Sequence, residues 1–362
     1  MKYMDEYRNS QVSQKLIQEI KDLVHQTWNI MEICGGQTHA ILRFGIDRVL
    51  APEIHFIHGP GCPVCVTPVQ KIDSAIQLAF EADTILCSFG DMLRVPGTKT
   101  SLLTARGQGA RVQTVYSPLD SVQIAQQNPN KQVVFFAVGF ETTAPVNAMA
   151  VKKAKELGLK NFSLLCAQVL VPPAVEVLLS DPYCQIQGFL SAGHVCTVMG
   201  YHEYEPIAEK YKVPIAVTGF EPVDLFLGIK ECVGMLERGM YGVRNAYTRS
   251  VHREGNILAQ ALMKEVFEVC DQQWRGVGCI PRSGLKLKSE YVDFDAELKF
   301  NLNIVGNGQE QTVCIAGEIL QGKKKPTDCP AFGTLCTPEN PIGAPMVSNE
   351  GACSAYYQYE RR

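Results

Sequence analysis

Thiols in three separate contexts carry the reactive chemistry of this chain of 362 residues. Cys314, Cys329, Cys336 and Cys353 punctuate a C-terminal stretch rich in proline, glycine and small residues, including TDCPAFGTLCTPENPIGAPMVSNEGACSAYY. Such a stretch has little core of its own, and four thiolates around one metal centre would staple it. The spacing C-x14-C-x6-C-x16-C differs from the paired CxxC of zinc ribbons and from the tight run of bacterial ferredoxins. Residue type and spacing therefore point to a four-thiolate metal site and leave zinc and iron–sulfur both open.

Cys34 stands in MEICGGQTHA, directly after a predicted strand. Gly35 and Gly36 let the backbone pass close to a ligand. Thr38 is a candidate helix N-cap, and His39 a candidate base or supporting donor for the thiol. A helix N-terminus beside the sulfur favours its thiolate. Cys62 and Cys65 form a CxxC in HGPGCPVCVTPVQ, a spacing that suits a reversible disulfide or half a metal site. Thr67 and Gln70 read as a capping box with Pro68 at the first helical position, which brings Cys65 to a second helix N-terminus. AVGFETTAP offers Glu141, Thr142 and Thr143 at a strand end, where they either cap a helix or face a ligand. SAGHVCT places His194 after a further predicted strand, two residues before Cys196.

Apolar residues make up 46% of the chain and charged residues 20%, with a net charge of −3. That is soluble globular chemistry without a basic surface for nucleic acid; the longest basic run, Lys323 to Lys325, precedes Pro326 in a turn-like context. The N-terminus lacks the basic start and apolar run of a signal peptide. No stretch approaches the roughly 20 apolar residues that span a bilayer. The expectation is a cytoplasmic chain, monomeric by itself, with neither membrane nor nucleic acid as partner. In that compartment clustered cysteines mean metal binding or redox chemistry, while Cys87, Cys166, Cys232 and Cys270 read as small buried hydrophobes.

The elements that must position these groups are short apolar runs alternating with helical patterns. Asn29–Ile33, Ile54–Ile57, Thr84–Cys87, Val112–Tyr116, Val133–Val138, Phe162–Ala167, Ile186–Leu190 and Ile215–Val217 read as strands of parallel sheets covered on both faces. Helices such as Pro68–Phe80, Pro145–Leu157 and Asp224–Arg238 separate several of them. The predicted fold class is α/β, with two tandem Rossmann-like parallel-sheet domains at 29–125 and 126–228. A mixed iron–sulfur or zinc region at 229–362 follows, and an N-terminal helix within 1–28 is expected to pack with it. There Asn256–Cys270 reads as a capped amphipathic helix, Ile280–Phe300 as a hairpin or short strands, and NLNIVGNGQEQ as a loop. Ligands of open α/β sheets bind beyond the carboxyl ends of the strands; Cys34, the CxxC, Glu141 to Thr143 and His194 all fall at such ends. No G-x-x-x-x-G-K-[ST] loop is present, and no G-x-G-x-x-G follows a strand, which argues against a nucleotide-dependent enzyme.

EICGGQTHA, HGPGCPVC, VGFETTAP, AGHV, WRGVGCIPRSGL and CPAFGTLCTPENPIGAPMVSNEGACSAYY occur in one order over nearly the whole chain. Together they resemble the HypD family, accessory proteins that mature nickel–iron hydrogenases. The resemblance implies a [4Fe–4S] cluster on Cys314, Cys329, Cys336 and Cys353, an iron-binding role for Cys34, and a redox-active dithiol at Cys62 and Cys65. This arrangement is similar to that of ferredoxin:thioredoxin reductase. The resemblance also implies a complex with HypC, in which Fe(II) gains one carbonyl and two cyanide ligands before delivery to the hydrogenase large subunit. HypE would supply the cyanide and a HypC cysteine the second thiolate. On this basis Gly35, Gly36, Thr38 and His39 surround the iron, and His194, Glu141, Thr142 and Thr143 orient its diatomic ligands. Glu350 would tune the cluster or bridge to the dithiol. An assembly scaffold with redox chemistry fits this better than a stand-alone enzyme. Two other readings stay open: a thiol–disulfide oxidoreductase in which Cys34 has no necessary role, and a non-redox zinc-binding interaction protein.

Overall fold

The computed structural model describes residues 5–302 and 313–360, so most of the loop predicted at NLNIVGNGQEQ lies outside the described residues. The apolar runs form β1 (Trp28–Glu32), β2 (Ile54–His58), β3 (Thr84–Ser88), β4 (Val112–Thr114), β5 (Gln132–Gly139), β6 (Phe162–Gln168), β7 (Gly188–Ala192), β8 (Pro214–Thr218) and β9 (Gly242–Asn245). Their lack of alternation has the expected cause, since both faces are covered. In β5, for example, Val133, Val134, Phe135, Phe136 and Ala137 are all fully buried. The first eight agree with the sequence reading to within a few residues; β9 was not foreseen.

The strands pair in parallel as two sheets, in the orders β2-β1-β7-β8-β9 and β4-β3-β5-β6. The α/β class with parallel sheets therefore stands, but the sheets do not divide at the expected boundary between residues 125 and 126. β1 and β2, assigned to the first domain, belong with β7 and β8 of the second, with Ile30 opposite Gly188 and Glu32 opposite Leu190. The strands between them form the other sheet, β3 pairing with β5 through Thr84 and Gln132. The sheets are thus interleaved along the chain. Short apolar runs state that they are buried, and they do not state which other run lies beside them.

Each sheet is sealed on both sides. The first packs Ile30, Leu190 and Ala216 against Leu16 and Ile20 of the helix Ser10–Leu23 and Ile229 and Val233 of the helix Pro222–Glu237. Lys230 Nζ donates to Glu19 Oε2 (2.7 Å) across the same pair. The N-terminal helix therefore packs on the first sheet's outer helix and not on the cysteine-rich region; its apolar stripe matches that helix. The opposite face, with Met31, Phe189 and Ile215, meets Phe140 and Trp274 in a core shared by the two halves. The second sheet buries Phe135 and Phe162 under Met263, Phe267 and Phe294, and Phe136 and Leu165 on its other side against Ile72 and Val347.

Asn256 caps its helix as expected, Oδ1 accepting from Ala259 N (3.0 Å), but the helix ends at Val266. The chain then extends as β10 (Phe267–Trp274), antiparallel to β11 (Gly278–Leu287). The hairpin begins ahead of the predicted Ile280, and it leaves Cys270 only partly buried while Cys87, Cys166 and Cys232 are buried as predicted. Trp274 is fully buried and its Nε1 donates to Ser283 Oγ (2.8 Å), fastening the hairpin's two strands. Among the described residues no helix is long and apolar enough to cross a membrane. Because Ile20 is fully buried between the two outer helices, Ile20→Ala is expected to destabilise the fold by about 2–5 kcal/mol, read from urea unfolding.

Candidate functional site

In the first sheet strand order reverses between β1 and β7, the position at which open α/β sheets form their ligand crevice. Cys34 lies two residues beyond β1 and His194 two residues beyond β7. The sequence separates them widely, and the topology brings Cys34 Sγ within 3.6 Å of His194 Nδ1. The imidazole also packs on Phe220, ring centroids 5.3 Å apart. Cys34 is 2% exposed and is the N-cap residue of the helix Gly35–Arg43. Burial pushes its thiol far above the ordinary range, and the negative charges of Glu350 and Glu32 add to this. The backbone N–H groups of Gln37 and Gly36 pull the other way and lose. The expected thiolate at a helix end is therefore overturned: desolvation outweighs the helix N-terminus. Burial also pushes His194 down to about 4, so the contact joins a neutral thiol and a neutral imidazole.

Beneath Cys34 sits a carboxylate that the sequence reading passed over. Glu32, the last residue of β1, is fully buried. Its Oε2 accepts from the Cys34 backbone N–H (3.0 Å), and its Oε1 accepts from Thr38 Oγ1 (2.5 Å) and meets His58 Nδ1 (2.7 Å). His58 is Glu32's register partner on β2, and its ring packs edge-on against Tyr356, centroids 5.4 Å apart. A signal was available, because a carboxylate in a strand covered on both faces must be compensated. Thr38 is consequently no N-cap; it lies inside the helix and its hydroxyl serves Glu32. His39 faces away from Cys34, its Nε2 3.2 Å from the Tyr359 hydroxyl, because it lies on the side of the helix that meets Ala352–Tyr359.

Cys62 and Cys65 form a disulfide. Cys62, not Cys65, occupies a helix cap, that of the short turn Pro63–Val66, its sulfur accepting from Cys65 N (3.2 Å). Thr67 Oγ1 donates to Pro63 O (2.8 Å), and Pro68, predicted at the first helical position, is itself the N-cap of Val69–Phe80. The loop before the dithiol lies directly on Cys34. Gly35 N donates to Gly61 O (2.9 Å), and a Cβ on Gly61 would fall 2.2 Å from Cys34 N. From the other side a Cβ on Gly35 would fall 2.2 Å from Glu350 O. Only glycine permits either approach.

Cys329, Cys336 and Cys353 gather in one apolar cluster with Ile319, Ala331 and Met346, and Cys314 lies close enough to act on them electrostatically. Burial raises the Cys353 thiol well above its ordinary value, and the proximity of Cys314, Cys336 and Cys329 raises it further. Cys336 Sγ accepts from Ile342 N (3.3 Å). Among the described residues no group of three or more His, Cys, Asp or Glu side chains surrounds a single ion position.

Glu141, Thr142 and Thr143 sit at the end of β5, in the other sheet, away from the contacts of Cys34. Thr143 Oγ1 donates to Phe140 O (3.1 Å) and accepts from Gln168 Nε2 (3.2 Å). Thr142 is partly buried beside it. Glu141 is fully buried; Oε1 accepts from Val171 N (2.8 Å) at the head of the helix Val171–Ser180. Burial raises its carboxyl from the ordinary 4.5 to about 8, so the folded chain holds a proton there that the unfolded chain has released. Stability contributed by that proton is present below the unfolded value and is lost as pH rises toward about 8. Glu141→Gln is expected to remove this decline, seen as a flatter urea midpoint over a pH series from about 5 to 9.

Residues 11–360 match the family model described as HypD, hydrogenase formation hypA family. The chain is 45% identical to the hydrogenase expression/formation protein HupD of Azotobacter chroococcum, over 100% of this chain and 98% of that one. It is 44% identical to the hydrogenase maturation factor HypD of Rhodobacter capsulatus (99% and 98% covered). With HypD of Escherichia coli the identity is 42% (100% and 99% covered). A thiol and an imidazole meeting at the switch point, a dithiol loop laid on the thiol's backbone and full-length similarity agree on one assignment. The chain belongs to the HypD family of hydrogenase maturation factors.

Proposed function

We propose that this chain is the scaffold and redox accessory for assembling the Fe(CN)2CO unit of [NiFe] hydrogenases. It works in complex with HypC and receives cyanide through HypE. The observation that carries this reading is the Cys34–His194 pair at 3.6 Å, enclosed by the dithiol loop on one side and Glu350 on the other. Fe(II) carrying carbonyl and cyanide is the substrate here, and soft thiolate suits it. The free thiol holds its proton because burial and two carboxylates disfavour a second negative charge. The same carboxylates favour an arriving cation. When the Fe–S bond forms, the thiol proton must leave, and His194 Nδ1 is the adjacent acceptor. Helix Gly35–Arg43 and the Gly61 backbone fix the sulfur's position, and the low exposure of Cys34 keeps water from the substrate.

Cys314, Cys329, Cys336 and Cys353 fit a [4Fe–4S] cluster by donor chemistry, being four neighbouring thiols of which three share an apolar cluster. When bound, that group supplies one-electron reducing equivalents. Cys62 and Cys65 hold two electrons and two protons as a dithiol and release them as a disulfide.

The test uses full-length protein purified without air together with HypC and HypE. Infrared bands of bound cyanide and carbonyl are expected in the wild type. Cys34→Ala is expected to abolish them while iron and acid-labile sulfide stay near four each per chain. Cys353→Ala is expected to lose that iron and sulfide. A colourless wild-type chain with one zinc would overturn the cluster, and normal hydrogenase maturation by Cys34→Ala would favour the thiol–disulfide oxidoreductase reading instead.

A further inference from the structure

Glu32 joins segments that the reading above treats as separate parts. Its carboxylate accepts from the backbone of Cys34, from Thr38 one helical turn on, and from His58, the last residue before the loop that carries the dithiol. A carboxylate accepts and does not donate, so His58 Nδ1 carries the hydrogen. The ring of His58 then bears on Tyr356, in the helix Ala352–Tyr359 that also holds Cys353. Both acidic oxygens are used, and both Glu32 and His58 are buried, at 0% and 5% exposure. Thr38 alone would need no carboxylate, since its hydroxyl also lies near Cys34 O (3.4 Å).

We propose that Glu32 and His58 are positioning residues that hold the Cys34 turn, the dithiol loop and the Cys353 helix in fixed relation, so that iron assembly requires the pair although neither touches the iron. This rests on Cys34 being the iron ligand. The chemistry is specific enough to separate from general stability. Glu32→Gln keeps the shape but turns one acceptor into an NH2 donor. Facing the Cys34 N–H it loses that bond, and facing the other side it forces Thr38 and His58 to exchange donor for acceptor roles. His58→Asn retains an N–H near the Nδ1 position, whereas His58→Phe keeps the ring and loses the donor.

The test uses the full chain, prepared without air, with three readouts. In protein that keeps its cluster but carries no iron at Cys34, with the dithiol disulfide-bonded, iodoacetamide alkylation of Cys34 is followed by mass spectrometry. With HypC and HypE present, the cyanide and carbonyl bands are measured. Thermal unfolding and iron and sulfide content report folding. In Glu32→Gln and His58→Phe, Cys34 alkylation is expected to rise, and the infrared bands to fall, by about tenfold or more, the factor that corresponds to a lost charge-assisted hydrogen bond. Iron and sulfide content should remain at wild-type level, and His58→Asn should recover most of both effects. Wild-type alkylation rates and bands in folded Glu32→Gln and His58→Phe would overturn the proposal, as would equal defects in His58→Asn and His58→Phe. If the wild type itself yields no bands, the iron-scaffold reading fails, and the alkylation arm still decides whether the pair positions Cys34.

Discussion

Two stretches of backbone converge on the Cys34 turn more closely than side chains allow. The chain before the dithiol lies against the Cys34 amide at Gly61, and the chain before Cys353 lies against Gly35 at Glu350. Absent Cβ atoms make both approaches possible. The rest of the site follows from that crowding. Water is excluded, the thiol stays protonated, and each neighbouring segment can be located only by what lies beneath it. Glu32 and His58 are what lies beneath, a buried polar pair in strands whose other buried residues are apolar.

Two opposed effects act on the thiol, and their relative size explains its state. A helix N-terminus contributes the equivalent of roughly half a positive charge, screened quickly with distance. Removing a thiolate from water costs more, and two carboxylates of the same sign stand nearby. A bare anion is therefore disfavoured where a metal–thiolate is not, because a divalent ion would cancel the repulsion. His194 experiences the same desolvation with the opposite sign, which keeps it neutral and available as a proton acceptor.

Much of this was legible in the residues. Unalternated runs such as VVFFAV announce buried parallel strands, and the strand-end positions of Cys34 and His194 follow from the same runs. What could not be read was pairing. Nothing in Trp28–Glu32 names Gly188–Ala192 as its neighbour, so the domain boundary fell in the wrong place. The second failure was local. Thr38 and His39 read from the sequence as a cap and a base, whereas the fold gives them Glu32 and Tyr359 as partners, and Thr67 bonds within its own turn to Pro63 O. Glu141 shows the same limit, its motif sharing a name with the site while its carboxyl serves the head of another helix.

The interleaving of the sheets also orders events during synthesis. β3 to β6 leave the ribosome consecutively and find all their partners among themselves, so that sheet can close while translation continues. β1 and β2 emerge earlier yet remain a two-stranded fragment, with the flank of Ile30 unpaired until Gly188 has been made. An open apolar strand edge held for that long invites pairing with other chains. The nascent protein is thus most vulnerable to aggregation through its first strand, the one whose end carries Cys34.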